Sequence, residues 1–455
     1  MKYFIDAITA VFSFKEVRIN RNITDYPQQH RVSMLLYLIV MLLGFNTAIV
    51  LHLLVGMYIL PLSVTLCILL CLFLSFYRIK ATSFSSSRRS PHKLNVADLL
   101  ERDVVPLETS EACASLKGQV ILVTGAAGSI GSQLCRQLLD YEPKLLIALD
   151  MNETGLFDLA EGLRPHPHIA SLYLHIGDIT NVQRMTRLFA DKQPNIVFHA
   201  AAYKHVPLLE QYPDLAIRTN ALATYHLCYL AQQYAVAHFV FISTDKAAEP
   251  VSVMGASKRL GELIVQSLAQ SMSGTTRFCA VRFGNVIGSR GSVVPIFARQ
   301  IEQGGPLTVT DPKATRYFMT IPEACELVIL TSAIADQGGL YLLDMGKPVR
   351  IIDLAEKMIR LCGLQVDRDI HIVYTGLRPG ERLHETLAGA DEELVPTTHS
   401  KISCVTHKDN LPTFAMIVQW IETLEDSLEH EDVMRHRELL FELVREQELI
   451  SVLTG

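Results

Sequence analysis

The feature that most constrains the fold is a glycine spacing, Thr124-Gly125-Ala126-Ala127-Gly128-Ser129-Ile130-Gly131, set between the apolar run Gln119–Thr124 and a helical stretch. Glycine lets a backbone turn tightly and approach a ligand closely. A helix beginning at such a turn offers free N–H groups and the positive end of its dipole. Strand, glycine-rich turn and helix in that order predict the first unit of a parallel α/β sheet, with a dinucleotide site at its carboxyl edge. Five more short apolar runs keep the rhythm: Leu145–Asp150, Ser171–Ile176, Ile196–Ala200, His238–Ser243 and Arg277–Phe283. Helical stretches separate them, as in right-handed βαβ units whose strands are covered on both faces. The expected class is α/β: a Rossmann-like parallel sheet with helices on both faces, spanning 118–290.

After Asn285 the rhythm loosens. A helix at Pro295–Gln303 ends at Gly304-Gly305-Pro306, Pro322 opens another within Thr315–Leu330, Leu340–Asp344 reads as a short strand, and Ile351–Cys362 as an amphipathic helix. Residues 291–400 are expected to form a smaller substrate-binding lobe over the carboxyl edge of the sheet. Residues 401–455 read as a charged helical tail without identifiable chemistry.

Upstream, no Asp, Glu, Lys or Arg occurs from Ser33 to Tyr77. A spanning helix needs about 20 apolar residues, so this run has room for a transmembrane hairpin over 34–77, turning near Gly56 and Pro61. Lys15, Arg18, Arg21 and Arg31 precede it, and Arg78, Lys80, Arg88, Arg89 and Lys93 follow. Basic residues on both flanks predict a multi-pass inner-membrane protein with both ends, and the catalytic domain, in the cytoplasm. Residues 1–33 read as an amphipathic N-terminal segment, and 78–117 as linker and lead-in, Ser-rich and basic over 81–93. The nine cysteines show no zinc spacing, no metal site is expected, and the usage fits a reducing compartment. A formal charge of −6 gives no reason to expect nucleic acid.

Candidate site residues follow the strand ends. Gly125, Ala127, Gly128, Ser129, Ile130 and Gly131 would cradle a pyrophosphate. Asp150, ending the second strand, suits an adenosine ribose diol and would repel a 2′-phosphate, which favours NAD over NADP; the same carboxylate could instead cap the turn that follows it. Asp178 and Ile179 would reach the adenine edge, and Ala200, Ala201 and Ala202 would lie under the nicotinamide ribose. After the fifth strand, Thr244, Asp245 and Lys246 set hydroxyl, carboxylate and ammonium side by side. Met254 and Lys258 follow, one helical turn apart on one face. Met254 stands where a short-chain reductase would carry a tyrosine, and a thioether cannot take its proton.

These blocks together resemble a known family. Gly125–Gly131, Ala201–Pro207, Ser243–Lys246, Met254–Lys258, Arg282–Ser292, Thr315–Thr320 and Arg378–Glu381 recur in the order seen in the membrane-anchored nucleotide-sugar 4,6-dehydratases of polysaccharide biosynthesis, a branch of the extended short-chain dehydrogenase/reductases. The resemblance runs from about 118 to 390. It implies dehydration of a UDP-N-acetylhexosamine, UDP-N-acetylglucosamine above all, to a 4-keto-6-deoxy sugar: hydride leaves C4 for NAD, water is lost across C5 and C6, and the hydride returns to C6. By position Asp245 would protonate the leaving hydroxyl, Lys246 would take the C5 proton, Lys258 would bind the nicotinamide ribose and Thr244 would hold the C4 hydroxyl. Elimination then needs Asp245 protonated and Lys246 neutral, states that two neighbouring opposite charges oppose. Several membrane-type relatives also carry Met at the position of Met254. Lys204 and His205 would border the sugar, Asn285 would bind the sugar or its phosphate, and Asn220 would act on the substrate side by orienting Lys258 through water. Arg316, Arg378 and Glu381 would hold the UDP. The resemblance further implies a homo-oligomer, tethered to the bilayer near glycosyltransferases of the same pathway. Two rival readings are a UDP-sugar 4-epimerase, which needs no elimination pair, and a catalytically silent NAD-binding scaffold, which Met254 favours.

Overall fold

The computed structural model describes residues 115–454 apart from 272–274 and 408–410, together with Gly44, Leu70 and Leu99. The hairpin expected over 34–77, the segment 1–33 and nearly all of the linker lie outside the described residues. No helix among the described residues is long and apolar enough to cross a membrane. The described residues from 115 onward belong to one compact unit, which carries the candidate site.

All six expected strands are present: β1 (Val120–Thr124), β2 (Leu145–Asp150), β3 (Leu172–Ile176), β4 (Ile196–His199), β5 (His238–Ile242) and β6 (Arg277–Arg282). They alternate with α1 (Ser129–Asp140), α2 (Glu153–Leu163), α3 (Val182–Lys192), α4 (Ala223–Gln233) and α5 (Val253–Ser271). Val120 to Thr124 are all buried, as a strand packed on both faces requires. The six pair in parallel in the order β3-β2-β1-β4-β5-β6. The order reverses between β1 and β4, so their carboxyl ends diverge into a crevice, the usual ligand position in an open α/β sheet. Asn152 and Asn181 cap α2 and α3 by accepting the Gly155 and Arg184 N–H groups.

The sheet extends beyond the expected six strands. The segment read as a strand of the substrate lobe is β7 (Gly339–Leu343), which pairs in parallel with β6. The antiparallel hairpin β8 (Glu392–Pro396) and β9 (Ile402–His407) then closes that edge, giving nine strands. An apolar pentapeptide is recognisable as a strand, but nothing in it names its neighbour. The lobe does keep a core of its own. Phe297 and Ile301 of α6 (Val293–Glu302) pack with Leu354, Met358 and Ile359 of α8 (Ile351–Leu361), while α7 (Ile321–Ile334) belongs to the core of the main sheet.

The C-terminal helices are structural rather than peripheral. Trp420 and Leu424 of α9 (Phe414–Ser427), and Leu439 and Leu440 of α10 (Val433–Thr454), join the core that surrounds α5. As a result Ser252 to Ala269 are all buried. A helix covered on every side must satisfy its polar groups internally. It does so through a buried charge cluster. Glu262 accepts from Arg282 Nε and Nη2, both at 2.7 Å, from Arg259 Nη1 at 3.1 Å and from Ser243 Oγ at 2.6 Å. Arg282 also donates to Glu392 at 2.6 and 2.9 Å, joining α5, β6 and β8. Burial alone would raise the Glu262 carboxyl; the two arginines and Ser243 outweigh it and bring it down to about 2.

Candidate active site

The carboxyl edge of the sheet opens on a cavity of about 630 Å³, within the range of small-molecule sites. Gly125, Gly128, Ser129, Ile130 and Gly131 line one side of it. Gly125 has φ +69°, and a Cβ there would lie 2.7 Å from the Ala201 backbone; one on Gly131 would lie 2.1 Å from the Gly125 carbonyl. Only glycine permits this turn, which leaves the backbone bare beneath the start of α1. A dinucleotide pyrophosphate fits such a cradle. Asp150 shapes it from behind, its carboxylate accepting the Ala127 and Asn152 N–H groups at 2.9 Å each. It therefore does cap the turn, and each oxygen keeps a lone pair for a diol.

The remaining expected cofactor residues divide. Ala200 and Ala202 line the cavity. Ala201 packs against Gly125 and donates its N–H to Thr124 Oγ1 at 3.2 Å. Asp178 is exposed and caps Thr180 N at 2.9 Å, and Ile179 is a core residue; neither borders the cavity.

Beneath this floor lies His199, which sequence reasoning missed because it resembles any other strand residue. The Thr224 hydroxyl gives its hydrogen to Asn220 O (2.7 Å), so His199 Nε2 donates to Thr224 Oγ1 (3.0 Å) and Nδ1 accepts from Thr124 Oγ1 (2.7 Å). Burial, and secondarily Lys258, pushes its pKa down to about 3. A neutral imidazole thus ties β1 and β4 to α4. Asn220 is also withdrawn. It lies in a π-turn, Ile217–Leu222, of the kind often found near functional sites. Its amide accepts from Tyr203 N and donates to Tyr203 O and Ser257 Oγ at 2.9–3.0 Å, so it fixes the loop after β4 rather than facing a ligand.

Thr244, Lys246, Met254 and Lys258 line the same cavity. Thr244 Oγ1 donates to Asp245 Oδ1 at 2.9 Å. Lys246 Nζ donates to the same oxygen at 2.9 Å and to Asn285 Oδ1 at 3.1 Å. Burial would lower the Lys246 pKa, but Asp245 and Glu385 outweigh it and hold the ammonium above its ordinary value. The Asp245 side chain has no exposed surface and does not line the cavity, and its Oδ2 is buried without a partner. Lys258 Nζ lies 3.8 Å from the centroid of the Phe241 ring. Burial, opposed by Glu262, brings its pKa down to about 7.

Residues from outside the sheet close the cavity. Lys204 Nζ donates to Arg290 O at 2.8 Å, and His205 packs against Gly291. Burial lowers the pKa of both Lys204 and His205. Arg290, absent from the expected set, reaches back to the glycine turn: Nη1 donates to Ala127 O at 3.1 Å and its N–H to Ser129 Oγ at 3.0 Å. Arg316 uses its guanidinium on the carbonyls of Thr315, Arg382 and Leu383, which holds the 378–385 loop in place. Arg378 Nε and Glu381 Oε1 pair with each other at 3.2 Å on the cavity rim. Glu385, also unexpected from sequence, is 6% exposed at its side chain, lines the cavity, and sits 3.6 Å from both Lys246 Nζ and Arg316 Nε. Among the described residues no cluster of His, Cys, Asp and Glu could hold a metal ion.

The capsular polysaccharide biosynthesis protein CapD of Staphylococcus aureus is 47% identical over 311 residues, covering 68% of this chain and 52% of that protein. The chain thus spans about half the length of this curated relative. A UDP-glucose 4-epimerase of Rickettsia rickettsii is 34% identical over 279 residues, 60% of this chain and 79% of that protein. A dTDP-glucose 4,6-dehydratase double mutant, DesIV from Streptomyces venezuelae with NAD and DAU bound, has a TM-score of 0.52 at 23% identity, covering 59% of this chain and 88% of that one; this likeness is one of fold. The family described as polysaccharide biosynthesis protein matches residues 121–407, more than half of the chain. The chain belongs to the polysaccharide biosynthesis protein family.

Proposed function

We propose that the protein is an NAD-dependent UDP-N-acetylglucosamine 4,6-dehydratase, tethered to the membrane through residues 34–77. The observation that carries this reading is the convergence of Thr244, Lys246 and Lys258 with the glycine-rich turn on one cavity. The tether rests on the charge-free run and its basic flanks. Bound at the Gly125–Gly131 turn and beside Lys258, NAD would supply the acceptor for the C4 hydride and return it to C6.

The side chains divide the proton work. Thr244 Oγ1 binds the C4 hydroxyl and passes its proton along the 2.9 Å contact to Asp245, a route that needs no tyrosine at Met254. Lys258, desolvated beside Phe241, binds the nicotinamide ribose. Once C4 is a ketone the C5 proton is acidic, and Lys246 takes it. To do so it must first shed a proton against the pull of Asp245 and Glu385. Asn285 keeps the amine aimed into the cavity. Arg378 and Glu381 separate to meet the UDP diphosphate and ribose.

Two outcomes decide between this and the epimerase reading, which the Rickettsia relative favours. Incubation with UDP-N-acetylglucosamine and NAD, followed by mass and NMR analysis, should give a product lighter by one water. An isomer of unchanged mass would make the protein an epimerase, and tight NAD binding without turnover would make it a scaffold. Lys246→Ala should stop loss of water while C4 oxidation persists as NADH absorbance; normal turnover would remove Lys246 from the mechanism.

A further inference from the structure

Elimination requires an acid that can touch the departing C6 hydroxyl. Asp245 has the right neighbour but no surface on the cavity: its side chain is wholly buried, and both Thr244 and Lys246 donate to its Oδ1. Its other oxygen lies against Gly284, where a Cβ would be 3.0 Å away. Glu385 has what Asp245 lacks. It lines the same cavity, and its Oε1 stands 3.6 Å from Lys246 Nζ, the atom assigned to the C5 proton. The two arrive from different parts of the chain, Lys246 after β5 and Glu385 on the loop that Arg316 anchors through three carbonyls. An anchored loop holds its carboxylate at a set place relative to the sheet, as an acid must be.

We propose that Glu385 is the proton donor to the C6 hydroxyl, working beside Lys246 as base, and that Asp245 serves the C4 proton instead. This rests on the dehydratase reading above. The protons balance. At rest Asp245 and Glu385 are carboxylates and Lys246 is an ammonium. The C4 O–H proton passes through Thr244 to Asp245 as the hydride leaves C4 for NAD. Lys246 gives one proton to Glu385, becoming an amine beside a carboxylic acid. The amine takes the C5 proton, the C6–O bond breaks, and Glu385 protonates the departing hydroxyl, which leaves as water. Hydride returns to C6 while Lys246 returns its proton to C5. Asp245 then reprotonates Lys246, and all three groups are as they began. The only redox partner is the NAD of the proposed reaction, reduced and reoxidised in one turnover.

The test uses Glu385→Gln in the full chain with UDP-N-acetylglucosamine, its 6-deoxy-6-fluoro analogue, and solvent D₂O. Fluoride leaves without protonation, so it discriminates a missing acid from a damaged site. Dehydration of the natural substrate should fall about 10²–10⁴-fold, the range of general-acid contributions. In this variant the carboxylate that helps hold the Lys246 pKa up is gone, so Lys246 sheds its proton to water instead of to Glu385. NADH absorbance and deuterium exchange at C5 should persist, and fluoride release should stay within about tenfold of the unaltered enzyme. Lys246→Ala should lose both C5 exchange and fluoride release. If Glu385→Gln does not fold, Glu385→Asp, which withdraws the acid by one methylene, should show the same split between hydroxyl and fluoride. Dehydration by Glu385→Gln at the unaltered rate, or equal loss of water and fluoride release, overturns the assignment while leaving the dehydratase reading intact. If the unaltered enzyme itself removes no water, the dehydratase reading fails, and the role of Glu385 falls with it.

Discussion

Lys258 should destabilise the protein that depends on it. It is 5% exposed, its ammonium sits on the Phe241 ring, and burial lowers its pKa from 10.5 to about 7. Each pK unit corresponds to about 1.4 kcal/mol, so forcing this lysine to stay charged in the fold costs on the order of 4–5 kcal/mol. The unfolded chain keeps its proton up to about pH 10.5, whereas the folded chain loses it near pH 7. Between those values the unfolded state binds more protons, so stability rises with pH, and the whole cost is present below about pH 7. Lys258→Met removes the charge at similar length and gives up a cation–π contact of about 0.5–2 kcal/mol. The NAD-free variant should therefore gain roughly 2–4 kcal/mol at pH 6.5, a rise in Tm of roughly 5 °C or more for a unit of this size. Calorimetry of both proteins from pH 6.5 to 10.5 checks it. The gap should narrow steadily as pH rises, because the unaltered protein sheds its cost. A variant that melts lower at pH 6.5, or a gap that ignores pH, would refute the reasoning. The same substitution should abolish turnover.

Two further substitutions probe the scaffold. Arg282→Met strands Glu262 and Glu392 in the interior and should cost about 3–5 kcal/mol in urea unfolding; a loss below about 1 kcal/mol would show that the cluster is rewired by Arg259. Arg290→Ala removes the side-chain contact between the 288–292 loop and Ala127 and should weaken NAD binding roughly tenfold by calorimetric titration, the size of one charged hydrogen bond. Unchanged affinity would mean that the loop does not strap the cofactor site.

The glycine turn was legible because its constraint is local. Although the close approach of Ala201 to Gly125 is a further demand that only the packed chain shows, Gly125 needs a positive φ and Gly131 lies against the Gly125 carbonyl, demands met within the turn. The same holds for the six parallel strands, whose apolar runs declare burial on two faces, and for the neighbours Thr244, Asp245 and Lys246. Distant partners were not legible. His199 looks like one more strand residue until Thr124 and Thr224 are brought to its two nitrogens. Arg316 and Arg378 read as free forks, yet one holds backbone carbonyls and the other pairs with Glu381.

By itself the sequence determined the class of fold, the edge of the sheet on which the site lies and the chemical types gathered there, because backbone sterics and apolar periodicity act within a few residues. Only the tertiary structure decided which groups face the cavity. It turned the Asp245 side chain away from the cavity that Lys246 enters, and it brought Glu385, 139 positions along the chain from Lys246, to within 3.6 Å of it. Burial and charge proximity are properties of the packed chain, and they set which carboxylate faces the cavity.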